Sequence, residues 1–268
     1  MLTQDQIQQF RQTVLDHFHA ADRQLPWRNT QDPYAILVSE IMLQQTQAER
    51  VIPKYEAFLK ELPDWQSLAE APPETVLRLW QGLGYNRRAL ALQKAAQVVA
   101  REYSSKLPHT TEELQKLPGV GPYTAGAIIA FALNQPVVMI ETNIRRVYLH
   151  HFFADKEGIS DKELLPLIEE TQDASQPRIW YYALMDYGAW MGKQGANANT
   201  RSKHYSKQSK FEGSHRQLRG KLLRLILTEQ LLTTDLSVLA VNIGVPPRDV
   251  LACLQELKAE GFPVPLDI

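Results

Sequence analysis

The segment Leu117-Pro-Gly-Val-Gly-Pro, set between two stretches of helical periodicity, constrains this chain more than any other feature. Helical patterns cover about Thr111–Lys116 before it and Tyr123–Leu133 after it, so the chain must reverse direction tightly between two helices. Gly119 and Gly121 permit positive φ and let another backbone approach without a Cβ clash. The turn, with Val120 between the glycines, then presents its N–H groups and the N-terminus of the second helix as an anion site. A Gly-x-Gly turn alone is common in helical hairpins. The full Leu-Pro-Gly-Val-Gly-x-x-Thr-Ala string is far more specific and reads as a helix-hairpin-helix element suited to a DNA phosphate.

Helical signals dominate the rest of the chain, and the expected fold class is all-α. Ile7, Phe10, Val14, Leu15 and Phe18 recur at helical spacing, and Ile36, Leu37, Ile41, Met42 and Leu43 predict a buried helix over Tyr34–Gln47. Further helices are expected over Val51–Leu62, Trp65–Glu70, Pro73–Trp80, Arg87–Tyr103, Asn143–Phe153, Lys162–Thr171 and Arg178–Met191, separated by Pro- and Gly-bearing turns. Gly192–Gly213 is polar and reads as a linker or surface strap. Beyond it, helices over Leu218–Leu227, Leu236–Ile243 and Pro247–Lys258, with a strand at Phe262-Pro-Val-Pro, suggest a small winged-helix-like module. A plain helical cap on the first domain fits the same pattern. The length of 268 residues allows one large domain or two.

The net charge of −1, from 29 Lys+Arg against 30 Asp+Glu, hides an uneven distribution. Between Lys193 and Arg224 nine basic residues face Glu212 alone, so this stretch carries +8 and the remainder −9. Such asymmetry suggests a local polyanion contact, with a solvated basic linker as the alternative. Cys253 is the single cysteine, which excludes an internal disulfide and any four-cysteine metal site built from these residues. No apolar run approaches the roughly 20 residues of a membrane span, and the first residues lack the basic and apolar regions of a secretory signal. A cytoplasmic protein without a membrane partner is the baseline expectation.

About twenty residues after the hairpin comes Ile140-Glu-Thr-Asn-Ile-Arg-Arg-Val. With Leu25-Pro-Trp-Arg, Ser39-Glu-Ile-Met-Leu-Gln-Gln-Thr-Gln, Trp80-Gln-Gly-Leu-Gly-Tyr and Ala183-Leu-Met-Asp-Tyr-Gly-Ala, this order resembles the helix-hairpin-helix (HhH-GPD) base-excision DNA glycosylases over most of residues 25–190. It looks closest to the adenine glycosylase branch. The resemblance implies a two-subdomain glycosylase domain over 1–212, with a six-helix subdomain over about 30–135. The second subdomain would combine 1–29 with 136–191, followed by a basic strap over 192–212 and the small module over 213–268. It also implies an enzyme that hydrolyses N-glycosidic bonds in double-stranded DNA holding a mismatched or damaged base. Such an enzyme would act as a monomer, associated with the nucleoid if bacterial.

Breaking that bond requires stabilising an oxocarbenium-like sugar and assisting the departing base. Glu141 stands where the family carries its essential Asp, and by resemblance it stabilises the sugar cation and activates water or acts as a transient nucleophile. An acid at a helix N-terminus with no catalytic part is the alternative. Glu40 lies among Leu37, Val38, Ile41 and Leu43, where desolvation should raise its pKa and favour the protonated form. The resemblance makes it the proton donor to a purine nitrogen; a surface-facing Glu is the alternative. Tyr123 replaces the lysine with which strand-cutting members form a Schiff base, which implies monofunctional chemistry. Asn143 would fix the carboxylate or a sugar phosphate, or simply cap a helix.

Base flipping leaves a gap that must be filled. Gln44 and Gln45 resemble residues that wedge into the duplex, although they could equally be polar helix ends. Tyr85 and Asn86 occupy the second wedge position, where adenine glycosylases usually carry another aromatic in place of Asn86. Trp27 and Arg28 would line the base pocket, or Trp27 could be plain core. With Gly119, Val120 and Gly121, the strap residues Arg201, Lys203, Lys207 and Lys210 are the expected backbone contacts. Most adenine glycosylases carry a four-cysteine iron–sulfur loop after the Ala183-Leu-Met-Asp helix, whereas Gly192–Gln208 holds no cysteine. No iron–sulfur cluster and no other metal is therefore expected, although a monovalent cation could sit at the hairpin turn. The large C-terminal domain that reads 8-oxoguanine also has no counterpart in 213–268. The expected substrate is adenine opposite 8-oxoguanine or guanine. A thymine or uracil glycosylase acting on mismatches with guanine, or a non-catalytic DNA-binding protein, stands as the alternative.

Overall fold

The computed structural model describes residues 2–195, 197–207, 210–228 and 236–264. In chain order its helices are α1 (Gln4–Ala21), α2 (Pro33–Leu43), α3 (Ala48–Glu61), α4 (Trp65–Glu70) and α5 (Pro73–Trp80). There follow α6 (Arg87–Glu102), α7 (Thr111–Leu114), α8 (Pro122–Phe131), α9 (Thr142–Phe152) and α10 (Asp161–Thr171). The last are α11 (Pro177–Lys193), α12 (His215–Leu227), α13 (Leu236–Ile243) and α14 (Pro247–Ala259). Short 3₁₀ turns cover Pro26–Arg28 and Ala198–Arg201. Among the described residues there is no strand, only an isolated bridge between Ile159 and Ser202, so the chain is all-α as expected. None of these helices alone is long and apolar enough to cross a membrane.

The described chain divides into two compact units. One comprises Met1–Ile41 with Lys106–Lys207, the other Met42–Ser105 with Gln208–Ile268. This division differs from the expected boundaries at 135, 191 and 212. Within the second unit α12 packs on α5 and α14, and Arg87 of α6 and Arg219 of α12 both pair with Glu260. The C-terminal helices are thus held to residues of the 42–105 segment. The three expected C-terminal helices are present. The expected terminal strand is not formed over residues 262–264, and its last residue lies outside the described residues.

The first unit is organised around three helices. In α8 every residue from Thr124 to Phe131 is buried, because its sequence is apolar and small all round. Helices α9 and α11 lie against each other, with Arg146 bonded to the Gly188 carbonyl and His151 to the Tyr187 hydroxyl across the seam. Their approach depends on Gly188, where an added Cβ would stand 2.3 Å from the Asn143 carbonyl oxygen. The core of the second unit gathers Phe58, Leu68, Leu77, Trp80, Leu92 and Val99. Helix α2 is shorter than expected: it ends at Leu43, and Gln45 takes φ +54°, outside helical geometry.

Candidate active site

Two carboxylates and a phenol come together, buried, in the first unit. Glu40 is on α2, two residues after a run of wholly buried side chains (Ile36, Leu37, Val38), and is itself 3% exposed. Burial in apolar surroundings disfavours its ionised form and pushes its pKa up to about 7, with the nearby Glu141 adding to the rise. The Tyr123 hydroxyl donates to Glu40 Oε2 at 3.0 Å and opposes part of that rise. Tyr123 itself lies in the first turn of α8, immediately after the hairpin, which is how the hairpin and the buried acid come together. Its own pKa is pushed far up by burial and by the two carboxylates, so it remains a neutral donor.

Glu141 is the N-cap of α9. Its Oε1 accepts from the Asn143 N–H at 2.6 Å and the Ile144 N–H at 2.8 Å, satisfying two of the helix's orphan donors. Capping and membership of the carboxylate group therefore coexist in one residue. Burial raises the Glu141 pKa, while the two N–H bonds, Arg145 and Arg146 pull it down. Asn143 joins both tendencies: its Nδ2 donates to Glu141 Oε2 at 3.3 Å and its Oδ1 accepts from Arg146 Nη1 at 2.8 Å. Arg146 also donates to the Gly188 carbonyl at 2.6 Å, tying α9 to α11, and burial lowers its pKa. Arg145 instead pairs with Asp161 at 2.7 Å.

The expected base-pocket residues occupy the 3₁₀ turn Pro26–Arg28. Trp27 is 3% exposed and belongs to the core. The Arg28 fork grips Asp186 of α11 through two bonds of 2.8 Å, and its guanidinium lies 4.7 Å from the Tyr182 ring centre. Arg23 adds a third bond of 2.8 Å to the same carboxylate. Asp186 and Arg146 are thus site residues that sequence reasoning missed as individuals. Asp186 could have been found as the lone acid of a largely apolar helix, since a buried carboxylate demands partners.

At the hairpin, Gly119 adopts φ +80°, as the turn requires. Gly121 does not: it is the extended N-cap of α8 at φ −90°, and a Cβ there would meet nothing within 4 Å. Its lack of a side chain therefore leaves open space outside the turn and relieves no internal clash. Val120 between them is buried.

In the second unit the expected wedge residues fall on two turns. Gln44 and the exposed Gln45 follow α2, and Tyr85, 41% exposed, precedes Asn86, the N-cap residue of α6. Gln45 and Tyr85 both hold positive φ, +54° and +49°. Between the turns stands Arg88, which sequence reasoning did not single out.

The basic strap is pinned at its start. Ile159 donates to the Arg201 carbonyl at 3.0 Å and accepts from the Lys203 N–H at 2.9 Å, and buried Asn199 donates to the Thr142 carbonyl at 3.1 Å. From this anchorage Lys203 and Lys207 project exposed. Lys210, also exposed, belongs to the second unit, where Arg219 is spent on Glu256 and Glu260 and adds no free charge to the +8 stretch. The side chains of residues 192–207 include amides, hydroxyls, amines, a guanidinium and one imidazole but no thiol, and do not fit an iron–sulfur cluster, which needs thiolates. Cys253 sits buried on α14, its thiol pushed up to about 11 by burial.

Comparison with known proteins places the chain in a family. The family described as HhH-GPD superfamily base excision DNA repair protein matches residues 38–171. An adenine DNA glycosylase of Buchnera aphidicola (strain Bp) is 37% identical over 67% of this chain and 52% of its own length. One of Mycolicibacterium smegmatis is 34% identical over 80% of this chain and 78% of its own. The chain thus spans about half the length of the first of these relatives. Among solved structures, a thermostable thymine-DNA glycosylase superposes with a TM-score of 0.62 at 28% identity, covering 69% of this chain and 87% of that one.

Proposed function

The chain belongs to the HhH-GPD superfamily of base excision DNA repair proteins, and from that premise we propose that it is a monofunctional DNA glycosylase that removes adenine opposite 8-oxoguanine or guanine in duplex DNA. The observation that carries this reading is the pairing of a buried acid poised near pH 7, Glu40, with a second carboxylate fixed at a helix N-terminus, Glu141. Tyr123 stands between them in function, and no amine takes part.

Glu40 supplies a proton to a nitrogen of the purine, and the bond between sugar and base breaks with its electron pair leaving on the base. Positive charge builds on the sugar, where a Glu141 carboxylate held by two N–H donors stabilises it. Water then adds to the sugar carbon and yields its proton to Glu141. Tyr123 has no basic nitrogen with which to form a Schiff base, so the product is an abasic site in an intact strand. The raised pKa of Glu40 favours purine substrates, whose departure gains from protonation, and the adenine DNA glycosylases among its relatives point the same way.

The enzyme would act as a monomer on double-stranded DNA in the cytoplasm, at the nucleoid if the source is bacterial. The hairpin and the residues Arg201, Lys203, Lys207 and Lys210 would hold phosphates, with no cluster taking part. A panel of duplexes, each with one defined pair (A·8-oxoG, A·G, T·G, U·G or fully matched), treated with hot alkali after reaction, tests the proposal. Alkali-dependent cleavage at adenine is the expected result. Cleavage at thymine or uracil alone would replace the substrate, and no cleavage of any duplex would leave only a DNA-binding protein.

A further inference from the structure

Arg88, half-buried in the second unit, makes hydrogen bonds to several backbone carbonyls, and nothing in the chemistry above uses it. Its Nη1 donates to the Met42 carbonyl at 3.1 Å and to the Gln44 carbonyl. Its Nη2 donates to Thr46 Oγ1 at 3.2 Å and to the Gly84 carbonyl at 3.0 Å. The guanidinium also lies 5.5 Å from the Trp80 ring centre and 5.4 Å from that of Tyr85. One side chain thus binds the backbones of two turns far apart in sequence. Each turn carries a non-glycine residue at positive φ, Gln45 at +54° and Tyr85 at +49°. Such conformations persist only where the surroundings over-determine them. Trp80 Nε1 reinforces the second turn by donating to the same Gly84 carbonyl at 3.2 Å. Burial lowers the Arg88 pKa to about 10, which leaves it charged at neutral pH and able to donate at every position.

We propose that Arg88 is a positioning residue that locks the 43–46 and 82–85 turns into a single preformed wedge, so that Gln45 and Tyr85 enter an opened base pair together. This rests on the DNA glycosylase reading for what the wedge enters, but not for the bracing itself. A flat, planar fork with five donors can serve several carbonyls at once; lysine, with the same charge and three donors on one nitrogen, cannot span both turns. A wedge ordered before binding does not have to be ordered during it, so it selects a gapped duplex over a continuous one.

The test uses the full chain with Arg88→Lys and Arg88→Met. Hydrogen exchange on the free proteins reads the bracing. Affinity for a duplex with a tetrahydrofuran abasic analogue against a fully matched duplex reads the wedge. Both variants should lose protection at residues 43–46 and 82–86 alone, and lose about tenfold or more of the preference for the abasic duplex. Matched-duplex affinity and melting temperature should hold in Arg88→Lys. A merely structural role would instead lower melting temperature and both affinities together, and that overturns the inference. A parallel loss on both duplexes with a shallower salt dependence makes Arg88 a phosphate contact and also overturns it. Unchanged exchange in Arg88→Lys does the same. If the wild-type protein itself shows no preference for the abasic duplex, the glycosylase reading fails, while the exchange result still decides the bracing.

Discussion

The carboxylate centre of the first unit and the paired turns of the second solve different problems with different materials. The first buries its ionisable groups and controls them by desolvation and helix N–H donors, so Glu40 is driven towards the neutral acid while Glu141 is held by Asn143 and Ile144. The second leaves Gln45 and Tyr85 exposed and controls backbone conformation, through an arginine that donates to carbonyls on both turns. Chemistry needs perturbed protonation and therefore a dry site, whereas insertion into a duplex needs a rigid shape that remains open to solvent. Side-chain ionisation is what the first region controls and main-chain conformation is what the second controls.

The comparison is broken most severely by Glu141→Gln. Single-turnover base release should fall by about a thousandfold or more while DNA affinity stays near the wild-type value, since charge is lost only where the transition state develops it. Activity that survives would remove Glu141 from the mechanism and reduce it to a helix cap. Next in size, replacing Lys203, Lys207 and Lys210 together with Ala should weaken binding to matched and mismatched duplexes alike. The slope of log affinity against log salt should flatten by about one for each phosphate that is no longer neutralised. A weakening confined to one mismatch would contradict a backbone role for the strap. Borohydride added during reaction should trap no covalent protein–DNA adduct, as Tyr123 offers no amine; an efficient adduct would move the protein into the strand-cutting class.

The smallest effect is on stability. Glu40 has a folded-state pKa of about 7 against an ordinary value of 4.5, so folding at pH 8 bears the cost of burying a carboxylate that is ionised when unfolded. That cost is absent at pH 4, grows between pH 4.5 and 7, and is constant above. Glu40→Gln should therefore raise thermal stability at pH 8 by roughly 1–3 kcal/mol and leave it almost unaltered at pH 4. Equal shifts at both values would mean that Glu40 is not held as a neutral acid.

Much of the first unit was legible in the sequence. The apolar run around Glu40 announced both its helix and its shifted pKa, and in the second unit the α4 and α5 helices fall on their expected boundaries because Asp64 and Pro73 mark their starts. The order of motifs gave the family without reference to coordinates. Periodicity could not show where α2 ends: Leu43 is followed by residues that could continue a helix, and only Gln45 in the left-handed region stops it. Arg88 was invisible for a related reason. Its partners are carbonyl groups, which every residue possesses, so no residue type marks the places where it binds. The pairing of the C-terminal helices with the 42–105 segment was not legible either, because the ion pairs from Glu260 to Arg87 and Arg219 link segments more than forty residues apart. Asp186 lay inside a recognised motif, but its hold on Arg23 and Arg28 became clear only when α11 was placed against the first residues of the chain.

The division of labour between the two carboxylates is tested most directly by the pH dependence of single-turnover adenine release from an A·8-oxoG duplex, measured for the wild-type protein and Glu40→Gln between about pH 5 and pH 9. The wild-type rate should fall as pH rises through about 7, where Glu40 gives up the proton it must donate. Glu40→Gln should be slower by about a hundredfold or more and should lack that alkaline limb. The same fall near pH 7 persisting in Glu40→Gln would contradict the account, because the proton would then come from another group.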